Sequence, residues 1–420
     1  MIAVCELNCA WTSHETPNAG FVAALTKCFH GEKIAFYAEK RHLNIVSGIL
    51  SKKGIDTSMV RFQPVFAAGS HGLPLSLYSC FRVLREIKRN NCDKVLFLSV
   101  DPLQEYLCKK LCVIFFKRIN CSFVLHGELD NFTCSHGTVT PVIIEKKTLF
   151  ERLRNKSFFY ICSNVWIVLC NILKRSYLRF GRIRLDIRKA LLLHQETGRF
   201  NHIVLSPFIK ARFSEYIDTS KLNIYAIVMP AVFPVKKPLR PINSYLKFGI
   251  FGYGNSGLLQ RLNMVLAELD IRKKYEIRII GMDGRGIEDY PNVTHPIPRV
   301  LTRDEMEELT QDIDMQMILY EDFRYQLSCS AAIIEAHSYA KPVFYLKNEC
   351  IDEFNPPEKP IGIRCSDVKE MAEEIHRIVE NYDIFQSELQ QYYENILFHR
   401  ERIDIMNNLH VLKEAMSFSI

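Results

Sequence analysis

The stretch GIFGYGNSG, Gly249 to Gly257, lies between an apolar run and a helix-like run and contains the spacing G-x-G-x-x-G. Such a turn lets backbone N–H groups approach a phosphate at the start of the following helix, because glycine accepts conformations and close approaches that a side chain forbids. Two ligand classes fit it. One is a nicotinamide dinucleotide, with Asp283 near the end of the next strand, YEIRIIGMDG, as the acid for the adenosine ribose. The other is a different phosphate-bearing nucleotide. Gly252 and Gly254 are the expected phosphate-facing pair, and Gly257 reads as a helix-packing residue.

Working outward, the same strand–turn–helix rhythm occurs on both sides. Upstream, Ile2 to Cys5 reads as a strand, SHETPNAG as a loop, FVAALTKCF as a helix and KIAFYAE as the next strand, which is a βαβ beginning. SLYSCFRVLREIK then reads as a helix and KVLFLSV as a buried strand ending at Asp101-Pro102. A helix follows from about Leu103 to Arg118, and the strand CSFVLHG ends at His126-Gly127. HIVLSP and NIYAIVMP are further strands, each halted by proline. A proline-rich segment, Pro230 to Ser244, interrupts the pattern and reads as a linker. Beyond it KFGIFGYG, YEIRIIG, MQMILY and KPVFYL alternate with helical stretches, and the chain from DVKEMAEEIHRIVENY onward is helical. The expected fold class is α/β: two doubly wound Rossmann-like domains facing across a cleft, with C-terminal helices. The expected boundaries are 1–235, a linker at 236–244, a second domain at 245–395 and a helical tail at 396–420.

With 420 residues, 48% of them apolar and 24% charged, the chain is long enough for two domains. The opening IAVCELNCAW lacks the basic, apolar and small-residue regions of a secretory signal, so a cytoplasmic protein is expected. The 14 cysteines form no C-x-x-C pair and read as reduced core thiols. Cys134 and His136 have no second ligand pair nearby, so no metal is expected. In a reducing compartment the sequons at Asn131 and Asn292 carry no meaning.

The net charge of +7 is concentrated. Residues 146–189 hold 12 Lys/Arg against Glu151 and Asp186, a local excess of +10, around the apolar and aromatic run Phe158 to Leu173. That run is shorter than the roughly 20 residues of a bilayer span. Two readings fit: a segment lying on an anionic inner-membrane surface, or a buried helix with solvated basic flanks. No readout motif accompanies the charge, which argues against nucleic acid as a partner.

From Pro298 to Leu346 the chain reads PRVLTRDEMEELTQDIDMQMILYEDFRYQLSCSAAIIEAHSYAKPVFYL. Ser328 and Ser330, with free N–H groups at a helix start, suit a pyrophosphate, and Glu335, two turns into that helix, suits a ribose diol. The order DIDM, SCS, Glu335-Ala336 and Ala340-Lys341-Pro342-Val343 resembles the donor-binding half of GT-B fold glycosyltransferases. The likeness is to the retaining group that includes bacterial polysaccharide and lipid-linked oligosaccharide assembly enzymes. The resemblance implies a nucleotide-sugar donor linked to UDP, GDP or dTDP, a glycan or lipid-linked acceptor, and no cofactor.

The chain departs from that pattern in two places. The group often carries a Glu-x7-Glu pair, but Leu327 stands eight residues before Glu335, so the acid usually near the sugar is missing. The usual Arg and Lys-Gly around the glycine-rich loop are also missing, leaving Arg261, Arg285, Arg324 or Lys347 to supply a cationic clamp. In the N-terminal half the resemblance is looser. Ser13 to Gly20 is similar to the loop over the cleft, which makes Asn18 and Gly20 acceptor-side residues and His14 a catalytic candidate. His126 looks like the histidine near the transferred sugar, and Glu128 is a second ionisable group at that strand end.

A retaining transfer rests mainly on stabilising the departing diphosphate and aligning the acceptor. An inverting one needs a general base, for which Glu128 or His126 is the candidate. The chain's D-x-D, Asp312 to Asp314, leads into a strand, so metal dependence is not expected. Outside transfer, the alternatives are an NAD(P)-dependent oxidoreductase using GYGNSG, a nucleotide-sugar epimerase of the same fold, and a non-catalytic binding protein.

Overall fold

The computed structural model describes residues 1–9, 14–65, 73–132, 186–233, 240–252, 254–281, 290–294, 297, 299 and 301–418. The basic run at 146–185, Cys134, His136, Asp283, Arg285 and the 236–239 part of the linker lie outside them.

The N-terminal sheet contains β1 (Ile2–Glu6), β2 (Ile34–Ala38), β3 (Val60–Pro64), β4 (Lys94–Ser99), β5 (Asn120–Leu125), β6 (Phe200–Val204) and β7 (Asn223–Ala226). They are parallel in the order β3-β2-β1-β4-β5-β6-β7. The second sheet contains β8 (Leu246–Phe251), β9 (Tyr275–Ile280), β10 (Val293–Thr294), β11 (Met315–Ile318), β12 (Val343–Leu346) and β13 (Gly362–Cys365). Its order is β10-β9-β8-β11-β12-β13, again parallel. Every residue of β1, β2, β6, β11 and β12 is buried, as strands covered by helices on both faces require. The expected α/β architecture of two Rossmann-like sheets is therefore the observed one. In each sheet the order reverses beside the first strand, at β1/β4 and at β8/β11, which is where such folds open a crevice.

The helices of the N-terminal half are α1 (Glu15–Cys28), α2 (Lys40–Lys52), α3 (Leu73–Arg89), α4 (Pro102–Ile114), α5 (Ile187–Leu192) and α6 (Pro207–Phe213). The second half adds α7 (Ser256–Leu266), α8 (Arg303–Thr310), α9 (Ala331–Tyr339), α10 (Glu349–Asp352), α11 (Val368–Glu380), α12 (Tyr382–Ile403) and α13 (Leu409–Ala415). The sequence pattern did not resolve α2, β3 or β13; β3, for example, spans only five residues, of which Val60 alone is buried.

One expectation is corrected at the first turn. SHETPNAG is not a loop as far as it is described: His14 caps α1 and Glu15 to Gly20 are helical. Proline is tolerated in a first turn, where its missing N–H has no partner to lose. Gly20 sits where α1 crosses Pro230; a Cβ there would lie 2.7 Å from the Pro230 carbonyl oxygen. The glycine serves close packing, not a loop.

The tail ties the halves together. Helix α12 begins in the second core, with Tyr382 and Phe385, and ends in the first, with Ile396. Helix α13 then lies on the N-terminal sheet, where the Ser122 hydroxyl and the Asn201 amide donate to the Ala415 carbonyl at 2.6 and 2.9 Å. The halves also meet where Glu353 accepts from the Ser206 hydroxyl and, at 3.2 Å, from the Phe208 N–H, while Arg212 pairs with Glu349.

Candidate active site

Between the carboxyl ends of the two sheets lies a cleft of about 900 Å³. On its C-terminal wall β8 runs into Gly252 and Gly254, both at positive φ (71° and 45°), and Asn255 caps α7 by accepting from Leu258 N–H at 3.0 Å. Both glycines line the cleft; so does Gly281 after β9 (φ 93°), whose Cβ would meet Gly252 N at 3.5 Å. Gly257 is exposed on α7, with Asn255 Oδ1 at 3.4 Å as its nearest contact, so it is not the packing residue expected. Arg261 is exposed on α7 and does not line the cleft.

Opposite the glycines, β11 leads to Tyr320 and then to the loop before α9. The Asn348 amide donates to the carbonyls of Glu321 and Arg324 at 3.2 and 2.9 Å and so fixes that loop, from which Arg324 lines the cleft. Of the four clamp candidates, Arg324 is therefore the one among the described residues in position. Ser330 is the cap of α9, accepting from Ala332 N–H at 3.2 Å with the Tyr320 hydroxyl at 2.9 Å. It is fully buried and off the cleft surface, whereas Ser328 and Glu335 line it.

Asp130, which sequence reasoning missed, crosses from the other wall. It stands in the short turn after β5, Gly127 to Phe132. Its carboxylate accepts from the Ser328 hydroxyl at 2.7 Å and from the Leu327 N–H at 3.3 Å. Burial raises its pKa, which the Ser328 hydrogen bond and Arg324 lower in part.

Arg303 was missed as well. It is the first residue of α8, whose Thr302/Glu305 capping box is visible in the sequence as T-R-D-E. The guanidinium bonds Glu335 at 2.9 Å and the Tyr339 hydroxyl at 3.3 Å on its own domain. Across the cleft it bonds Glu15 at 3.1 Å and donates to the Thr16 hydroxyl. Burial works against that charge, but the Glu335 and Glu15 carboxylates more than offset it and hold the pKa above the ordinary range. Glu335 is itself pushed up by burial and brought back in part by Arg303.

On the N-terminal wall the rings of His14 and His126 stack at 4.5 Å. His126 Nε2 lies 2.7 Å from the Leu98 carbonyl, which only an N–H can satisfy, so Nδ1 keeps its lone pair. Burial, with His14 alongside, lowers the His126 pKa to about 3, and burial lowers that of His14. Both imidazoles are neutral at ordinary pH. Glu128 turns back to accept the His126 N–H at 2.8 Å and does not line the cleft; burial raises it to about 8. Asn18 is wholly buried, its amide 3.0 Å from Glu6 and 2.9 Å from His42 Nε2, and neither it nor Gly20 reaches the cleft.

One side-chain group has metal-ligand spacing among the described residues: Glu6, Cys9 and His14. Glu6 already accepts from Asn8 N–H and Cys9 N–H at 2.9 Å, from the Ser99 hydroxyl and from Asn18, so the group reads as a brace for the β1 turn. Asp312 and Asp314 are structural too. The first pairs with Lys247 and Arg278; the second is buried and accepts from Lys247 N–H at 2.9 Å and the Tyr382 hydroxyl at 3.0 Å.

No family model and no curated protein matches the sequence. Solved structures do match over almost the whole chain. A glycosyltransferase from Rickettsia africae ESF-5 is 13% identical, with 98% of this chain and 96% of that one covered and a TM-score of 0.58. Anabaena HepE in complex with UDP-glucose is 12% identical over 99% of both chains, with a TM-score of 0.57. A variant of S. aureus TarM in complex with fondaparinux, alpha-GlcNAc-glycerol and UDP is 11% identical over 99% of both chains, at 0.60. At these identities the likeness is one of fold, and the fold this chain shares with them, two Rossmann-like domains facing across a cleft, is that of the GT-B glycosyltransferases.

Proposed function

We propose that the chain is a glycosyltransferase that moves a sugar from a nucleoside-diphosphate sugar to a glycan or lipid-linked acceptor, with retention, in bacterial surface polysaccharide assembly. The observation that carries this reading is the convergence of Glu335, Ser328 and Arg324 with the Gly252–Gly254 turn in one cleft. Each answers a different part of such a donor. Glu335 gives Oε1 to Arg303, and Oε2 faces no other partner among the described residues, so it serves a ribose diol. The Gly252 N–H is already given to the Ile280 carbonyl at 3.1 Å, so the N–H of Gly254 and those at the start of α9 serve the diphosphate, and Arg324 supplies charge as it departs.

Asp130 now holds two of those donors, the Leu327 N–H and the Ser328 hydroxyl. A diphosphate taking them displaces the carboxylate toward the sugar and the acceptor. A neutral His126 beside this point donates no charge to the diphosphate; its role is to contact sugar hydroxyls. The few acids in the cleft suit a retaining transfer, in which the diphosphate oxygen and not a side chain is the natural base. Should the reaction invert, Asp130 takes the role assigned to Glu128, since it is the carboxylate of that turn that lines the cleft.

The Gly252–Gly254 turn also fits a nicotinamide dinucleotide, but the oxidoreductase reading leaves Ser328 and Glu335 without a role, and no observation favours an epimerase over the transferase. A thermal-shift series with UDP, GDP, dTDP, CMP and NADH tests the class, because a ligand that binds only the folded chain raises its melting temperature. A nucleoside diphosphate should raise it and NADH should not; the reverse result replaces the transferase with the oxidoreductase. Incubating UDP-glucose with the protein in the absence of acceptor tests for an epimerase.

A further inference from the structure

Helix α3 packs Cys80, Val83, Leu84 and Ile87 against the N-terminal sheet. Its opposite face should be polar. Instead Leu77, Tyr78 and Phe81 are exposed there, Tyr78 by 53%, and the neighbouring α4 ends in Ile114 and Phe115, exposed by 56% and 58%. The rings of Phe81 and Phe115 meet edge to face at 6.4 Å, so the two helices form one apolar ridge. Scattered exposed apolar side chains need no explanation, but five on two contacting helices mark an interaction surface.

The rim of the ridge identifies what covers it. Arg82, Arg85, Lys88, Lys110, Lys117 and Arg118 surround it on the same two helices and the turn after α4. The acids of these helices are Glu86 and Glu105. Glu86 is bound to Arg89 at 2.8 Å, and Glu105 is buried 2.5 Å from Lys109 and 2.9 Å from His202. Neither is left to balance the rim. Arg82 lies 6.0 Å from the ring centre of the exposed Tyr78, and Lys88 lies 5.9 Å from that of Phe116, which is buried beneath the ridge. The chain's own apolar run at 158–173 is a poor occupant, because its flanks carry the same sign of charge as the rim.

We propose that this ridge is a docking surface for an anionic lipid bilayer. Helix α3 and the end of α4 lie along the interface, with Tyr78, Phe81 and Phe115 among the headgroups and the arginines and lysines on the lipid phosphates. The surface is separate from the cleft, and its occupant does not depend on what the cleft transfers.

Cosedimentation of the full chain with vesicles tests it. Phosphatidylcholine mixed with phosphatidylglycerol should bind the protein, phosphatidylcholine alone should not, and added salt should weaken the binding. Replacing both aromatics, Phe81→Asp with Phe115→Asp, should cut partitioning by about tenfold or more. A second variant, Arg82→Gln with Arg85→Gln, leaves the apolar ridge intact and should weaken binding to the anionic vesicles in the same direction. No binding of the wild-type chain to the mixed vesicles overturns the proposal. So does unchanged binding of both variants, or binding lost only on neutralising Arg175, Arg179, Arg182 and Arg184, which places the contact in the 146–189 run instead.

Discussion

The C-terminal wall of the cleft offers the glycine turn after β8, the start of α9, a serine hydroxyl and two arginines, whereas the N-terminal wall offers two neutral imidazoles and two carboxylates. The first set suits an anion and the second does not. In this structure the walls satisfy each other: Glu15 takes Arg303, and Asp130 takes the Leu327 N–H and the Ser328 hydroxyl. Two of the donors assigned to the nucleoside diphosphate, the Leu327 N–H and the Ser328 hydroxyl, are thus met by a carboxylate of the opposite domain. Under the transferase reading, binding is an exchange of one set of anions for another, so cleft closure and donor recognition draw on the same groups.

The largest effect is expected on the C-terminal wall. Glu335→Ala should weaken binding of UDP, or of whichever nucleoside diphosphate raises the melting temperature most, by about 1.5–3 kcal/mol, the range for hydrogen bonds to a charged group. The loss is of a ribose contact, so inorganic pyrophosphate should bind both proteins alike. Calorimetry showing equal affinity of the two proteins for the nucleotide would falsify the ribose assignment.

A smaller effect is expected at the strand end behind the N-terminal wall and reads as stability against pH. Burial raises the Glu128 pKa to about 8, so the folded chain holds a proton that the unfolded chain gives up near 4.5. Its stability contribution is full below 4.5 and is lost as pH rises through 8. His126 runs the other way: with a folded pKa near 3, its contribution is present above 6.5 and lost as pH falls toward 3. Glu128→Gln removes the first slope and leaves the second. Between pH 5 and pH 8 the variant should gain about 1–2 kcal/mol relative to wild type in urea unfolding; partial solvent contact at Glu128 keeps this below the full shift. Parallel stability curves for the two proteins count against a buried neutral Glu128.

The two walls also differ in how far the sequence revealed them. Apolar strands such as KVLFLSV and YEIRIIG, the glycine turn, and Ser328 with Glu335 were legible, because burial on both faces, positive φ and helix starts each leave a local mark. Glu335 was legible as a helical residue near a loop, but its partner Arg303 was not, since 32 positions separate them. The N-terminal wall misled where local signals competed. Pro17, Asn18 and Gly20 spell a loop, yet Pro17 fits a first turn and Gly20 answers to Pro230, which is distant in sequence. Glu128 and Asp130 both follow His126; only the tight turn at Gly127 to Phe132 decides that the second enters the cleft. At three residues per turn, side chains two positions apart point about 120° apart, so only one of the two acids faces the cleft, and the sequence does not record which.

The smallest effect belongs to the contact that joins the walls. Asp130→Asn keeps a side-chain oxygen able to accept from the Ser328 hydroxyl and the Leu327 N–H, but removes the negative charge that competes with a diphosphate for them. Nucleotide affinity should therefore rise, by roughly two- to fivefold or about 0.5–1 kcal/mol, because a ligand must outbid a weaker neutral contact and meets no like charge once bound. The sign carries the argument. An interaction that only stabilised the fold would leave affinity unchanged or lower it. A residue that contacts the sugar alone would change UDP-glucose binding and not UDP binding. Titration of wild type and variant with both ligands separates the cases, and equal or weaker UDP binding by the variant removes Asp130 from the exchange while leaving Glu335 as the ribose acid. Tighter UDP binding with slower transfer places the carboxylate on both sides of the event: holding the donor site before the nucleotide arrives, and touching sugar or acceptor after it is displaced.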